Sequence, residues 1–367
     1  MGLEQFDIQK KILWHHDRVH KWLKGDVVYP ITMEIDPTNT CNEKCIWCCW
    51  ENHRSDNTTM SRDLMEKIIE DLAEVGVRGL IWTGGGEPLL NKHTPHGIKM
   101  AKSRGMENGM FTNGICMTPD IIPLIVENCA WVRVSLGAAT RNTFNKCHRS
   151  RGENDFYRIV ENVKEFVRVK KEMKSQVAIG LSMMVHHENY HELYQEACLA
   201  KDLEVDYFQG KPLNQNGSEN VEWWKNRVVP LFKKAKNDLE DDAFKILTAQ
   251  YTQDKYGDEG SEFISNITPS LCISDEQKDK CYVHNFVTAV TAGGDVAFCK
   301  NLRDKPDYII GNLKQSMMKD IYAGERRMQI STHINAEGCA SFCQNGRLNQ
   351  MLKFIVQPDS SKHPCFL

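Results

Sequence analysis

The stretch Cys41–Trp50, CNEKCIWCCW, places four of the fourteen cysteines of the chain close together, three of them in the spacing C-x3-C-x2-C. An apolar run, Ile31–Ile35, comes shortly before it and has the length and composition of a buried strand. In parallel sheets, active sites lie at the carboxyl ends of the strands. The thiols therefore follow the first predicted strand, at the position where a catalytic site is expected.

The composition of the chain limits the classes of function. Its 367 residues, 41% of them hydrophobic, are enough for one large domain or two of ordinary size. A formal net charge of -3 leaves no excess positive charge for a phosphate backbone, so nucleic acid is not expected as a partner. No apolar run approaches the ~20 residues that span a bilayer and the start lacks a signal peptide, so we predict a soluble, cytoplasmic protein without a membrane partner. In that compartment clustered cysteines indicate metal binding or catalysis.

The chain up to Pro212 alternates between strand-like and helix-like segments. Amphipathic stretches such as SRDLMEKIIEDLAEVG carry apolar residues at helical spacing, and short apolar runs separate them. The six runs are Ile31–Ile35, Gly79–Thr83, Gly109–Thr112, Trp131–Leu136, Val177–Val185 and Val205–Gln209. Six strand–helix units predict a parallel α/β sheet, rolled or open, with its active site at the carboxyl ends of the strands.

Beyond Pro212 the pattern changes. A charged stretch, predicted to be mostly helical, leads into a polar loop that contains glycine. The sequence FVTAVTAGGDVAFC then alternates around Gly293 and Gly294, which predicts a β-hairpin. NLKQSMMKDIYAG follows as a predicted short helix with a glycine at its end. These features predict a second, smaller unit at the C-terminus.

The number of thiols between Cys41 and Cys48 narrows the choice of metal. A closed structural zinc site needs four ligands, and the adjacent residues Cys48 and Cys49 rarely point at one metal, so we expect three ligands. Three thiolates on a four-iron cluster leave one iron without a protein ligand. An open metal position is what a catalytic rather than a structural site requires.

Together with GGEP at Gly85–Pro88, the CNEKCIWC loop resembles the cluster loop and the second motif of the radical S-adenosylmethionine (SAM) superfamily. The resemblance implies that Cys41, Cys45 and Cys48 hold a [4Fe-4S] cluster whose open iron chelates the amino and carboxylate groups of SAM. One electron from the cluster would then cleave SAM to a 5′-deoxyadenosyl radical, which abstracts a substrate hydrogen. The resemblance also implies a partial (β/α)6 TIM-like barrel and an external one-electron donor such as flavodoxin or ferredoxin.

The GGEP and TNG motifs supply further SAM contacts in the resemblance. Glu87 is expected to accept hydrogen bonds from the SAM amino group, with Gly85 and Gly86 letting the backbone approach closely. Asn113, in the TNG sequence that ends the third strand, is expected to be a polar contact to SAM.

The segment SLGAATRNTFNKCHR resembles the fourth-strand segment of the family. Ser135 is expected to meet the ribose or the carboxylate of SAM, and Arg149 to pair with the carboxylate. Gly137 stands where the family usually has an acidic residue, and the arginine is offset by about one residue.

The segment CYVHNFVTAVTAGGDVAFC, of the form C-x12-G-x4-C, resembles the auxiliary-cluster region called SPASM, or twitch in its shortened form. The resemblance implies one auxiliary [4Fe-4S] cluster, because the C-x2-C-x5-C run that serves the second SPASM cluster is missing. Its expected ligands are Cys281, Cys299, Cys339 and Cys343, with Cys272 as the substitute if one of these faces away. A structural or zinc-binding role for these cysteines is the alternative.

These assignments divide the chain into four parts. They are an N-terminal helical extension (1–30), the radical SAM partial barrel (31–213), a helical connector (214–271) and a small α+β domain of the twitch or SPASM type (272–367).

Full ligation by four thiolates would restrict the auxiliary cluster to moving electrons. A substrate carbon bearing OH or NH2 that has lost a hydrogen atom becomes a carbonyl or imine by losing a proton and an electron. Dehydrogenation of a polar small molecule, such as a sugar or aminocyclitol, is therefore the leading hypothesis, and it resembles the twitch-type dehydrogenase of aminocyclitol biosynthesis. The alternatives are peptide modification, as in ribosomal peptide maturation or sulfatase maturation, and redox-neutral epimerisation. Gln209 and Lys211, a polar pair that ends an apolar strand, are candidate substrate contacts.

Overall fold

A computed structural model describes residues 11–50, 56–212, 222–248, 280–334 and 345–356. The predicted cluster ligands Cys339 and Cys343, and the substitute Cys272, lie outside the described residues. Within the described ranges, no helix is both long enough and apolar enough to cross a lipid bilayer.

The described strands form one ten-stranded sheet in the order β10-β9-β8-β1-β2-β3-β4-β5-β6-β7. Pairing is parallel from β8 through β1 to β7, and antiparallel between β8, β9 and β10. The strands are β1 Thr32–Ile35, β2 Gly79–Trp82, β3 Glu107–Thr112, β4 Cys129–Ser135, β5 Ala178–Val185, β6 Tyr207–Pro212, β7 Lys245–Thr248, β8 Val287–Val290, β9 Asp295–Ala297 and β10 Ile309–Asn312. The predicted α/β fold with a parallel sheet is confirmed.

Helices follow most of the strands. They are α1 His16–Leu23, α2 Arg62–Glu74, α3 Thr94–Ser103, α4 Ile122–Asn128, α5 Arg141–His148, α6 Asp155–Glu172, α7 Leu193–Asp202, α8 Val229–Leu239, α9 Met318–Ala323, α10 Glu325–His333 and α11 Gly346–Val356. Helix α2 illustrates how the sequence directs them: the Ser61 hydroxyl accepts a hydrogen bond from Leu64 N at 3.3 Å and caps the first turn. Its apolar residues recur at helical spacing and are buried against the sheet.

The two faces of the parallel sheet differ in chemistry. Alternate strand residues such as Met33, Trp82 and Val132 are fully buried in the core under the helices. The residues between them point to the other face, which carries Glu34 on β1 and Arg133 on β4. We call this second surface the inner face, and its polar side chains mark it as the side that a ligand contacts.

The sheet curls so that the inner faces of β1 and β6 approach each other. Neighbouring strands lie about 4.8 Å apart, so a flat sheet would separate β1 from β6 by roughly 24 Å. Lys211 on β6 nevertheless places its Nζ atom 5.3 Å from the centre of the Phe111 ring on β3, three strands away, and the charge of Glu34 on β1 raises the pKa of Lys211. The parallel strands therefore wrap around a polar interior in the manner of a partial barrel.

The region after Pro212 differs from the predicted helical connector. Its described part, 222–248, contains helix α8 but ends in a further strand, β7, which pairs in parallel with β6. The four-residue segment KILT is too short to show strand periodicity in the sequence. The barrel thus gains a seventh parallel strand.

The predicted hairpin around Gly293 and Gly294 is confirmed, since β8 and β9 pair there in antiparallel fashion. Strand β8 also pairs in parallel with β1, with Thr32 opposite Val287 and Ile35 opposite Val290. The C-terminal hairpin is therefore continuous with the sheet of the barrel.

Candidate active site

The cysteine loop after β1 is held by the end of helix α5. Lys44 N donates to His148 O and Ile46 N to Cys147 O, both at 2.9 Å. These backbone bonds fix the stretch on either side of Cys45. The sequence brings the loop to this place because it follows β1, and α5 follows β4, at the same edge of a parallel sheet.

The three predicted cluster thiols lie together and are half-buried. Burial raises the pKa of the Cys45 thiol, and the neighbouring charges of Glu43, Cys41 and Cys48 raise it further. Three thiolates in one partly buried loop repel one another, so the set favours a bound cation. An iron cluster with thiolate ligands fits this donor set. Cys49 is exposed, in keeping with the prediction that it is not a ligand.

A buried Glu43–His148 pair lies beside Cys45. His148 Nδ1 is 3.1 Å from Glu43 Oε2 and 3.5 Å from Cys45 Sγ, and the imidazole stacks on Phe144 at a centroid distance of 4.5 Å. Sequence reasoning did not find this pair, because no local motif links residues 43 and 148. The buried Nε2 atom of His148 has no hydrogen-bond partner among the described residues.

The GGEP loop packs directly against the start of the cysteine loop. Glu87 N donates to Thr40 O at 2.9 Å. A Cβ atom on Gly86 would lie only 2.0 Å from Thr40 O, so a glycine is required at this position. The close backbone approach that Gly86 permits is thus to residue 40, the neighbour of Cys41.

The Glu87 carboxylate is buried and joins the ends of β2 and β3. Oε1 accepts hydrogen bonds from Thr112 Oγ1 at 2.7 Å and Leu89 N at 3.1 Å, and Oε2 accepts one from Asn113 N at 2.7 Å. Burial nevertheless raises the pKa of Glu87 to about 7, because the three bonds only partly offset the cost of removing the charge from water. A cationic or amino ligand would lower this cost.

Asn113 connects Glu87 to the cysteine loop. Its Nδ2 donates to Asn42 Oδ1 at 2.6 Å, and its Oδ1 accepts from Ile115 N at 3.1 Å. Asn42 is the residue after Cys41. Glu87, Asn113 and the cysteine loop are therefore one hydrogen-bonded unit.

The two predicted residues of the fourth strand region differ in position. Ser135 ends β4 on the inner face, opposite Ser182 of β5. Arg149 caps helix α5 in a left-handed conformation, with φ 48°, and its side chain is exposed. It directly follows His148, so its backbone adjoins the cysteine loop, while its side chain makes no hydrogen bond to any described residue.

The inner face carries the predicted substrate residues and several that were not predicted. Gln209 and Lys211 lie on β6, two residues apart and therefore on the same face. Glu34 pairs with Lys300 at 2.9 Å and with Arg303, which also binds Asp36. The sequence analysis did not use Glu34, although a charged residue inside an apolar strand is a signal that could have indicated a polar interior.

Comparison with known protein families identifies the domains of the chain. The profile of the radical SAM superfamily matches residues 35–197, which run from the last residue of β1 through β5 and include the cysteine loop and the GGEP loop. The profile of an iron-sulfur cluster-binding domain, SPASM, matches residues 281–348. The chain contains a radical SAM domain followed by a SPASM domain. Its domains imply a SAM-binding [4Fe-4S] cluster, SAM and auxiliary iron-sulfur clusters.

Curated relatives of this radical SAM protein match parts of it. A tungsten-containing aldehyde ferredoxin oxidoreductase cofactor-modifying protein of Pyrococcus furiosus is 25% identical over 177 residues, 47% of this chain and 48% of that protein. The PqqA peptide cyclase of Bradyrhizobium diazoefficiens is 22% identical over 180 residues, 48% of this chain and 45% of the cyclase. The chain thus spans less than half the length of these two relatives.

Among solved structures, Streptococcus suis SuiB bound to S-adenosylmethionine is similar in fold. The TM-score is 0.65 at 14% sequence identity, and the match covers 92% of this chain and 77% of SuiB. The predicted radical SAM fold with a C-terminal SPASM region is confirmed.

The SPASM match begins at Cys281, one of the two predicted auxiliary ligands among the described residues. Cys281 precedes β8 and Cys299 follows β9, and both are half-buried. Because β8 and β9 run in opposite directions, the residues before one and after the other lie at the same end of the hairpin. The ring of His284 stacks on Phe298 at 4.1 Å and closes this end.

Proposed function

We propose that the protein reductively cleaves SAM to a 5′-deoxyadenosyl radical and uses it to dehydrogenate a polar small molecule, such as a sugar or aminocyclitol. The observation that carries the proposal is the hydrogen-bonded unit in which Glu87, Asn113 and the cysteine loop meet beside the inner face. When bound, the clusters would supply the electron that cleaves SAM and accept the electron that the substrate releases.

We call the cysteine loop and Glu87, at the carboxyl ends of the strands, the rim. The residues of the rim would bind and orient SAM. Cys41, Cys45 and Cys48 would hold the first cluster. The Glu87 carboxylate would accept hydrogen bonds from the SAM amino group, which relieves the cost of its burial. Ser135 and Arg149 would reach the ribose or carboxylate from the β4 side. The contacts of Glu87 to three donors fix its carboxylate before SAM arrives, so little ordering is left for the binding step.

The substrate would lie in the curled interior, where strands end in polar side chains. Breaking a C–H bond at a carbon bearing OH or NH2 transfers the hydrogen to the 5′-deoxyadenosyl radical and leaves a carbon radical. Loss of one proton and one electron then forms the C=O or C=N bond. The proximity of the SPASM hairpin to the barrel, through the β1–β8 pairing, supports this use of an auxiliary electron acceptor. Cys281, Cys299, Cys339 and Cys343 are its proposed ligands.

Peptide modification is the second candidate. It is favoured by the match to a PqqA peptide cyclase and by the similarity of the fold to SuiB, which has also been crystallised with its precursor peptide SuiA. Both candidates use the same rim and require an external one-electron donor such as flavodoxin or ferredoxin. They differ in the size of the substrate and in the bond that forms, a C=O or C=N bond in dehydrogenation and a modification within a peptide in the second candidate.

The test is anaerobic incubation of the reconstituted protein with SAM and a reductant, with 5′-deoxyadenosine measured by chromatography. We expect the wild-type protein and Cys49→Ala to form it, and Cys45→Ala to form none. Cleavage by Cys45→Ala at the wild-type rate would contradict the proposal. Adding polyols, amino sugars or peptides and following stimulation of 5′-deoxyadenosine formation then distinguishes the two substrate classes.

A further inference from the structure

Two cationic side chains meet in the curled interior around one aromatic ring. The Arg133 guanidinium carbon lies 5.1 Å from the centre of the Phe111 ring, and Lys211 Nζ lies 5.3 Å from the same centre. Arg133 comes from β4 and Lys211 from β6, so the two side chains converge from different strands. Their convergence is a property of the curled sheet and not of local sequence.

Neither side chain forms a direct ion pair with a carboxylate among the described residues. The nearby acids are already matched, since Glu34 and Asp36 pair with Lys300 and Arg303. The Arg133 Nε atom donates to a neutral group, the Tyr207 hydroxyl, at 3.2 Å. The described part of the interior therefore holds two more basic than acidic side chains.

The two cationic side chains are half-buried against aromatic rings, and this partial burial strengthens their electrostatic effect. Burial lowers the pKa of Lys211 well below its usual value, and the charges of Arg133 and Lys300 lower it further. Three aromatic rings, those of Phe111, Trp131 and Tyr207, lie within 5.7 Å of the Arg133 guanidinium. An anion bound between the cations would restore the charge of Lys211 and replace the lost hydration.

A neutral polar group faces the same interior. Gln209 lies on the inner face of β6, two residues before Lys211. Its Oε1 atom is buried and has no hydrogen-bond partner among the described residues. A buried amide oxygen without a donor is costly, so a ligand that supplies an O–H or N–H here would be favoured.

We propose that the substrate carries a carboxylate or phosphate group that Arg133 and Lys211 bind, and a hydroxyl or amino group that donates to Gln209 Oε1. This deepens the proposed function and rests on it, because it names the chemical class of the substrate for the same site. Arg133 lies two residues before the end of β4, below the rim formed by the cysteine loop and Glu87. The anionic end of the substrate therefore enters first and the reacting carbon stays near the rim.

The experiment is calorimetric titration of the full-length, reconstituted protein with two probes, pyrophosphate and citrate, without SAM or reductant. We expect one of them to bind, and Arg133→Gln and Lys211→Gln each to weaken that binding at least about tenfold. The charge-retaining variants Arg133→Lys and Lys211→Arg should lose less affinity for the probe than the glutamine variants at the same positions. Arg104→Gln, an exposed arginine paired with Glu70, is the control and should bind like wild type. Iron content and circular dichroism exclude misfolding as the cause.

Preferential binding of pyrophosphate would assign a phosphate, and preferential binding of citrate a carboxylate. The proposal is overturned if neither probe binds, or if both glutamine variants bind as tightly as wild type. It is also overturned if SAM displaces the probe competitively, since the site would then belong to SAM. These titrations need no turnover, so they are judged separately from SAM cleavage.

Discussion

Gly137 makes room for His148. A Cβ atom on residue 137 would lie 2.7 Å from His148 Nε2 and 3.2 Å from the ring of Trp47. Position 137, where the family resemblance leads us to expect an acidic side chain, is therefore without a side chain, and the imidazole of His148 at the end of α5 fills the adjacent space. The imidazole in turn contacts Glu43 and Cys45, so residue 137 acts on the cysteine loop from across the barrel rim.

Gly137→Ala should destabilise the protein more than its backbone strain alone predicts. Gly137 has φ +65°, where a side chain costs about 1 to 2 kcal/mol, and the added methyl group must also displace His148. Gly105→Ala is the matched control, because Gly105 has φ +79° with nothing within 4 Å. We expect chemical unfolding to show a larger decrease in the free energy of unfolding for Gly137→Ala than for Gly105→Ala. We also expect Gly137→Ala to contain less iron after reconstitution. Equal losses for the two variants would mean that His148 moves aside at no cost.

Arg303→Met should be strongly destabilising. Arg303 is buried and pairs with both Glu34 and Asp36, so its removal takes a cationic partner from two buried carboxylates, at an expected cost of about 3 to 5 kcal/mol. Arg104→Met removes an exposed arginine from Glu70 and should cost about 1 kcal/mol or less. The free energies of unfolding from urea titration compare the two. Similar values would indicate that the Arg303 site is wet and weakly coupled.

Glu87→Ala should weaken SAM binding without removing iron. The loss of a hydrogen bond to a charged group is worth about 1.5 to 3 kcal/mol, roughly 10- to 150-fold in affinity. Equilibrium binding of SAM to the reconstituted variant measures the loss, and iron analysis of the same sample is the control. If the iron is lost instead, the Glu87 carboxylate supports the cysteine loop through Asn113 and Asn42 rather than binding SAM.

Glu196 should make stability depend on pH. Its carboxyl group is fully buried, and burial raises its pKa to about 8, although Oε1 accepts a bond from Gly137 N at 3.1 Å. Because the folded pKa lies above the unfolded value near 4.5, its contribution is complete at low pH and is lost as pH rises through about 8. Glu196→Gln should make the free energy of unfolding less dependent on pH in this range, by a few kcal/mol in order of magnitude. Unfolding measured from pH 5 to 9 tests this, and identical slopes in both proteins would refute it.

The iron content tests the number of auxiliary clusters. One SAM-binding cluster and one auxiliary cluster, each with four irons, give about eight irons in the intact protein. Replacing Cys41, Cys45 and Cys48 together by Ala should leave about four irons. About twelve irons in wild type would favour two auxiliary clusters, as in the peptide-modifying alternative, and about four would reduce the C-terminal cysteines to a structural or zinc-binding role.

The part of the structure that the sequence predicted is the part encoded locally. Strand periodicity placed the barrel strands, the C-x3-C-x2-C spacing placed the cysteine loop, and the Gly293-Gly294 pair placed the C-terminal hairpin. Glu87 and Asn113 were found because short motifs mark the ends of their strands. Their bond to each other follows from the parallel register of β2 and β3.

The unpredicted features depend on contacts between distant segments. Glu43 meets His148, and Arg133 meets Lys211 at the Phe111 ring, only after the sheet has curled. Strand β7 was missed because a four-residue segment gains its hydrogen bonds from β6 and not from its own pattern. Arg149 illustrates the converse: a family position carried over with an offset lies on an exposed helix cap, where a role toward SAM stays a prediction.

The pairing of β1 with β8 limits how the two domain segments of this protein can be separated or exchanged during evolution. The two family segments are separate in sequence, but the backbone groups of β1 on that side are satisfied only by the later segment. A chain cut between them would expose an open strand edge, which favours association with other chains. Replacing the SPASM segment by that of a relative would therefore succeed only if β1 and β8 were exchanged together. Glu34 and Arg303, which form an ion pair between the two segments, would have to be exchanged with them.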